Sequence, residues 1–339
     1  MARAAEAAPA FPLPDVALAE RLVERMGAVE EALLDAAQYA DRLAADASRY
    51  LMAAGGKRLR PFLTLLASEL GAGPNQDVLD AAVVVELTHL ATLYHDDVQD
   101  SASMRRGTPT AHTVWGNTVA IMVGDLLFAR ASQRVARLGT EAVRLQAETF
   151  ERLCLGQLAE LTGPGERDDP VAHYLTVLSN KTASLVATSA RFGAMFGGAP
   201  SESFDVLSAY GEKVGVAFQL ADDVLDLAST GAETGKTPGT DLREHVPTMP
   251  VLLLRQRVAR GLGGPEDEAL IARLDGDISD DDTLAEIVEE LRAHEVLAET
   301  RALAVTWAHD AAAELDPLPE GPVKEALVSF ALALADRAS

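Results

Sequence analysis

The chain has 339 residues, 48% of them hydrophobic and only 5% aromatic, enough apolar mass for a large core in one or two domains. Its formal net charge of -23 argues against nucleic acid or an anionic membrane surface as a partner. The single cysteine, Cys154, excludes an internal disulfide framework, fits a reducing cytoplasm, and is expected to be a small buried residue.

Residues 1–15 carry Pro9, Pro12 and Pro14 without a continuous apolar stretch, and read as a short flexible tail rather than a signal peptide. From residue 16 to 339 the pattern is helix after helix, one continuous all-α domain. Breaks fall at Gly55-Gly56, Gly71-Ala72-Gly73-Pro74, Gly163-Pro164-Gly165, Gly197-Gly198-Ala199-Pro200, residues 231–250 and 261–265, and Pro317 to Pro322. Between them, residues 77–94, 118–138, 142–161, 171–196 and 203–227 repeat their apolar positions with helical period. No β-hairpin signature, strand–helix alternation or internal repeat is evident. The acidic stretch 275–282 reads as a solvated loop or helix start. No uncharged apolar run approaches the ~20 residues that span a bilayer.

Two acidic runs close long apolar segments: Asp96-Asp97-Val98-Gln99-Asp100 and Asp222-Asp223-Val224-Leu225-Asp226. On a helix Asp96 lies beside Asp100, and Asp222 beside Asp226, at a spacing where like charges repel. Neither run has a basic residue three or four positions away. A destabilising cluster placed twice implies divalent cations. Carboxylate oxygens suit Mg²⁺, which shares its shell with water and substrate phosphates. Basic groups stand close by in sequence: Gly55-Gly56-Lys57-Arg58-Leu59-Arg60-Pro61 and Met104-Arg105-Arg106-Gly107. Guanidinium forks match phosphate oxygens, and lysine supplies a movable charge. Gln219 precedes Asp222 by one turn, and Lys236 follows in a Gly-rich loop able to close over phosphates. His89 lies two turns before Asp96. On spacing alone it reads as a structural histidine.

GGKRLRP, ELTHLATLYHDDVQD, RRGTPT, KTASL, FQLADDVLD and TGKTPGTDL, in that order over residues 55–250, resemble the trans-isoprenyl diphosphate synthase family, and most of all its bacterial long-chain polyprenyl members. The resemblance implies the isoprenoid synthase fold, a bundle of about ten or more helices around a central cavity, usually in a homodimer. It implies a prenyltransferase that joins isopentenyl diphosphate to an allylic diphosphate. About three Mg²⁺ ions would be held by Asp96, Asp100, Asp222 and Asp226, with Asp97 and Asp223 in support. Arg105, Lys181 and Lys236, with Gln219 near, would hold the allylic diphosphate. Lys57, Arg60, His89 and Arg106 would hold isopentenyl diphosphate, and Thr182 with Gln219 would stabilise the carbocation. The family's Gly-Lys pair after the second run is replaced by His245-Val246, and Tyr94 stands where long-chain members often carry Leu.

Product length follows from what lies behind Asp96. Five residues back on a helix is ~7.5 Å, one or two isoprene units deep. Ala91 and Thr92 stand there, where short-chain members carry an aromatic plug, with Thr88, Leu87 and Val84 deeper still. The missing plug implies a product beyond C20. The rival is a geranylgeranyl diphosphate synthase whose floor comes from Phe150 or the segment Leu153 to Leu158. A class I terpene cyclase lacks the isopentenyl pocket, and a regulatory subunit of a heteromeric synthase usually loses aspartates that are complete here. A cytoplasmic enzyme that meets membrane only when its product leaves completes the expectation.

Overall fold

The computed structural model of the chain describes residues 13, 15–228, 238–243 and 246–336. The expected tail lies largely outside these residues, and Lys236 and His245 lie outside them as well. In chain order the helices are α1 (Val16–Ala36), α2 (Arg42–Ala53), α3 (Leu59–Ser68), α4 (Gln76–Gln99), α5 (Ala111–Trp115), α6 (Asn117–Val135), α7 (Thr140–Thr162) and α8 (Pro170–Leu178). There follow α9 (Ser184–Gly197), α10 (Glu202–Ala228), α11 (Thr240–Arg243), α12 (Met249–Ala259), α13 (Pro265–Leu274), α14 (Asp281–Ala293), α15 (Glu295–Glu314) and α16 (Pro322–Asp336).

Their starts are written in side chains that accept from unpaired first-turn N–H groups. Asp15 accepts from Leu18 at 2.6 Å, Asn75 from Asp77 and Val78 at 2.9 and 3.0 Å, and Asp280 from Thr283 at 2.9 Å. Asp280 belongs to the acidic stretch read as a helix start, and it is one.

Three expectations need correction. Cys154 is exposed, on a side of α7 that also leaves Leu155 and Leu158 in solvent. A small antiparallel ladder does exist, β1 (Met104–Arg105) against β2 (Thr108–Pro109). Its turn, Arg106-Gly107, has positive φ at both residues (52° and 74°), the twist that tight hairpins demand, supplied by a dipeptide that lacks the usual Asn. Finally, the helical segment over 171–196 is interrupted. Ser179–Ala183 form a π turn between α8 and α9, with one residue more per turn than its flanks.

The chain gathers into two compact units. Among the described residues the first holds those up to Glu151, together with Ser184–Gly211 and Glu314–Phe330. Its centre is α4, covered by α3, α6 and α9. A helix buried on most sides is apolar all round, and from Val78 to Tyr94 nearly every residue of α4 is buried. The buried charges of α4 are each paired, as burial requires: Asp80 with Arg134 at 2.5 Å, Glu86 with Arg58 at 2.9 Å, and Asp97 with Arg105. Tyr94 is fully buried; its hydroxyl donates to Ala47 O and accepts from Leu51 N, tying α2 to α4. The phenol therefore has a structural use.

The second unit holds Arg152–Ala183 and Glu212–Ala313 together with the described residues from Ala331 onward. Its core is drawn from Tyr174, Leu220, Val224, Leu254, Ile287, Leu291 and Val296 among others. Among the described residues no helix is long and apolar enough to cross a membrane.

Candidate active site

In the first unit the basic motif divides into two uses. Arg58 has the left-handed backbone of a turn (φ 47°), which aims its side chain inward. Its Nε donates to Glu30 at 2.6 Å and its Nη1 to Glu86 at 2.9 Å. Burial opposes the guanidinium charge, but the two carboxylates outweigh it and raise the pKa. Arg58 is thus a structural cation, while Lys57 stands exposed beside it. Arg60, from the first turn of α3, and Arg106, from the hairpin turn, gather near Glu86 and each other. Burial lowers the proton affinity of both and Glu86 opposes that; repulsion from Arg106 adds to it at Arg60, and repulsion from Arg58 and Arg105 at Arg106. The Nε of Arg60 is buried without a hydrogen-bond partner among the described residues. Arg106 donates to Leu51 O at 3.3 Å and to Gly55 O. A Cβ on Gly56 would lie 2.8 Å from its guanidinium, so the glycine makes room for it.

His89 completes this group. Burial, then repulsion from Arg60, Arg106, Arg105 and Arg58, hold its pKa well below the ordinary 6.5. The imidazole is neutral at pH 7, able to offer one N–H donor among guanidiniums. Glu86 is the residue that sequence reasoning missed here. The available signal was one acid inside the otherwise apolar AAVVVELTHL, which needs a buried partner.

Both acidic runs show the same division of labour. In the first, Asp97 turns inward, fully buried, and pairs with Arg105 of β1. Burial raises its pKa against the pull of Arg105, and its Oδ2 finds no hydrogen-bond partner among the described residues. Asp96 and Asp100 point to the wetter side, half-buried and exposed. In the second unit Asp223 is the inward one, 2% exposed, accepting from the Tyr174 hydroxyl at 2.9 and 3.0 Å and from Met249 N–H at 3.1 Å. Burial pushes its pKa well up, against those donors. Asp222 and Asp226 are half-buried, one turn apart on α10. Nothing in the sequence pointed to Tyr174.

Also in the second unit, the π turn carries Lys181 and Thr182. The Lys181 ammonium pairs with Glu160, and the Thr182 hydroxyl donates to Gln219 Oε1 at 3.3 Å. Lys57, Arg60, His89, Arg105, Arg106 and the first acidic run therefore lie in one unit. Lys181, Thr182, Gln219 and the second run lie in the other.

Among the described residues no three carboxylate, imidazole or thiolate side chains converge as a ready-made cage for a metal ion. Each run instead turns two hard carboxylate donors outward and one inward. That incomplete set fits Mg²⁺, which dehydrates reluctantly and binds through one or two carboxylates plus waters and substrate phosphates.

Along α4, Val84, Leu87, Thr88 and Ala91 are fully buried and Thr92 is half-buried. The Thr88 hydroxyl donates to Val84 O at 2.8 Å and accepts from Gln146 Nε2 of α7 at 2.6 Å. On the alternative floor, Phe150 packs against Phe128 with the rings tilted at 54° and centroids 4.3 Å apart, and is 38% exposed; Leu155 and Leu158 are more exposed still.

A family model described as polyprenyl synthetase matches residues 41–291. The chain belongs to that family. It is 42% identical to a nonaprenyl diphosphate synthase of Mycobacterium tuberculosis over 94% of each chain. It is 34% identical to heptaprenyl diphosphate synthase component 2 of Geobacillus stearothermophilus, over 93% of this chain and 97% of that one. A crystal structure of geranylgeranyl pyrophosphate synthase from Corynebacterium glutamicum, complexed with calcium and isoprenyl diphosphate, superposes with a TM-score of 0.84 at 41% identity, covering 96% and 99% of the two chains. The chain has the all-α isoprenoid synthase fold of its relatives, and it is a prenyltransferase, a trans-prenyl diphosphate synthase.

Proposed function

We propose that the chain catalyses Mg²⁺-dependent head-to-tail condensation of isopentenyl diphosphate with an allylic diphosphate, giving an all-trans product beyond C20, between roughly C30 and C50. The observation that carries the reading is the complete set of charged side chains on both motifs, held with two aspartates outward and one inward in each. Asp96, Asp100, Asp222 and Asp226 are the proposed ligands of about three Mg²⁺ ions. When bound, Mg²⁺ neutralises charge on the allylic diphosphate as its C–O bond breaks, the kind of electrostatic help that is often the largest catalytic term.

Arg105, Lys181, Gln219 and Lys236 would hold that diphosphate, and Lys57, Arg60, His89 and Arg106 the isopentenyl diphosphate. The Thr182 hydroxyl and Gln219 carbonyl oxygens face the allylic cation as dipoles that do not attack it. The isopentenyl double bond adds to C1 of the cation, and loss of a proton to released diphosphate restores an allylic product. Water must be kept away, because it would quench the cation.

Small and polar residues at Ala91 and Thr88, buried, and Thr92, half-buried, without an aromatic, support the long product, as does the nonaprenyl synthase relative. On α7, the alternative C20 floor is divided: Leu153 is buried, while Phe150, Leu155 and Leu158 are exposed. In the first unit the exposed Phe150 of α7, with Ile121 and Met122 of α6, supports a homodimer, since a second copy would bury them. The single cysteine and acidic charge support a cytoplasmic enzyme that meets membrane only as product leaves.

The test is incubation with Mg²⁺, labelled isopentenyl diphosphate and, separately, C10, C15 and C20 allylic diphosphates, with products sized after dephosphorylation. A ladder past C20 that vanishes with EDTA is expected. A sharp C20 stop refutes the long-chain reading, and no incorporation from any primer refutes chain elongation itself.

A further inference from the structure

The π turn at Ser179–Ala183 is gripped from two helices in a matched way. On α7, Arg152, Gly156 and Glu160 follow one another at four-residue steps and so share a face. On α10, Glu212, Gly215 and Gln219 do the same at steps of three and four. Each triplet has a charge at one end, a glycine in the middle and a partner for a functional side chain at the other. Arg152 Nε donates to Asn180 Oδ1 at 3.1 Å, and its Nη2 to Ser179 O at 3.2 Å, Ser179 Oγ at 3.1 Å and Glu212 Oε2 at 3.0 Å. Ser179 Oγ donates to Glu212 at 3.1 Å. A Cβ on Gly156 would lie 2.7 Å from Lys181 N, and one on Gly215 would overlap Ala183 Cα. Glu160 then takes the Lys181 ammonium, and Gln219 the Thr182 hydroxyl.

A π turn is less favourable than the α-helix on either side of it, and it persists where neighbours over-determine it. Here two glycines admit its wider backbone, and one ion pair fixes its first half. We infer that Arg152 and Glu212 are positioning residues: their ion pair holds the π turn in register so that Lys181 and Thr182 are set for the allylic diphosphate. The inference rests on the function proposed above. The pair does not itself touch substrate. Relaxing the turn to an α-helix would drop one residue from it and rotate Lys181 by about 100°.

The experiment uses the full chain with Arg152→Gln, the near-isosteric Glu212→Gln, Lys181→Ala and the Arg152→Gln/Lys181→Ala double variant. Exposed Arg144→Gln is the control. Hydrogen exchange by mass spectrometry is the first readout, and it needs no activity. Arg152→Gln and Glu212→Gln should raise deuterium uptake in peptides covering 179–183 with Tm held within a few degrees. Unchanged uptake there overturns the inference. Steady-state kinetics are the second readout. Each single variant should lower kcat about tenfold or more with the KM for isopentenyl diphosphate within about twofold. In the Lys181→Ala background Arg152→Gln should cost much less than in the wild type, because only Thr182 remains to be set. Equal losses in both backgrounds would mean that the pair only stabilises the fold, and would overturn the positioning role. A wild-type chain that incorporates no isopentenyl diphosphate would instead refute the proposed function, leaving the exchange result to decide the π turn.

Discussion

His89 offers a test that reads the electrostatics of the basic group directly. Its imidazole is held neutral by burial and by four guanidiniums, with a pKa well below 6.5. In the unfolded chain the same side chain titrates near 6.5. The folded state therefore binds fewer protons between those two values, and stability rises with pH across that window. The contribution is fully present above about 6.5 and is lost as pH falls toward the folded value. The most this one group can cost on acidification to pH 5.0 is set by its unfolded value, about 1.4 kcal/mol for each pH unit below 6.5, or about 2 kcal/mol. The wild-type profile sums over every ionisable group of the chain, so it is not diagnostic alone. The difference from His89→Gln isolates the effect, because glutamine keeps a polar side chain of similar reach and does not titrate. Urea unfolding of both proteins across pH 7.5 to 5.0 should show wild type losing stability faster by up to that amount. Parallel profiles would refute the placement of His89 among the guanidiniums.

Replacing Ala91 with Phe should shorten the product while turnover of the primer stays largely intact; an unchanged product distribution would mean that the floor lies elsewhere. Gly193→Ala should destabilise the first unit by about 1–3 kcal/mol, read as a lower Tm, because the new Cβ would overlap the Thr64 carbonyl and sit 2.8 Å from Ala67 Cβ. Tyr174→Phe should cost about 1–3 kcal/mol by leaving buried Asp223 with the Met249 N–H as its remaining donor among those described; a Tm equal to wild type would show that the hydroxyl is dispensable.

Helices were legible where periodicity is a property of the segment itself. The reading 77–94 became Gln76–Gln99, its start set by the Asn75 cap, and 203–227 became Glu202–Ala228. The π turn was illegible because nothing in Ser-Asn-Lys-Thr-Ala demands it. Its cause lies in Gly156 and Gly215, far away in sequence. The two acidic runs were visible as chemistry, but the inward turn of Asp97 and Asp223 depends on what packs against each helix. Arg58 looked like one of three equivalent cations until the backbone turned it toward Glu30 and Glu86. Cys154 was misread because burial was assigned from residue type, while its helix face decides the matter.

The placement of Arg58 bears on the range at which the basic group is felt. Three guanidiniums, Arg58, Arg60 and Arg106, stand with two carboxylates, Glu30 and Glu86, and Arg105 is matched by Asp97. Seen from beyond a Debye length of about 10 Å, most of that charge cancels, and the rest lies on a chain of net charge -23. Within hydrogen-bonding distance the donors of Arg60 and Arg106 are undiminished. On the proposed function, the group is therefore blind to distant polyanions and selective for a small, dense anion already inside, which would let a strongly acidic protein hold a phosphate without collecting nucleic acid.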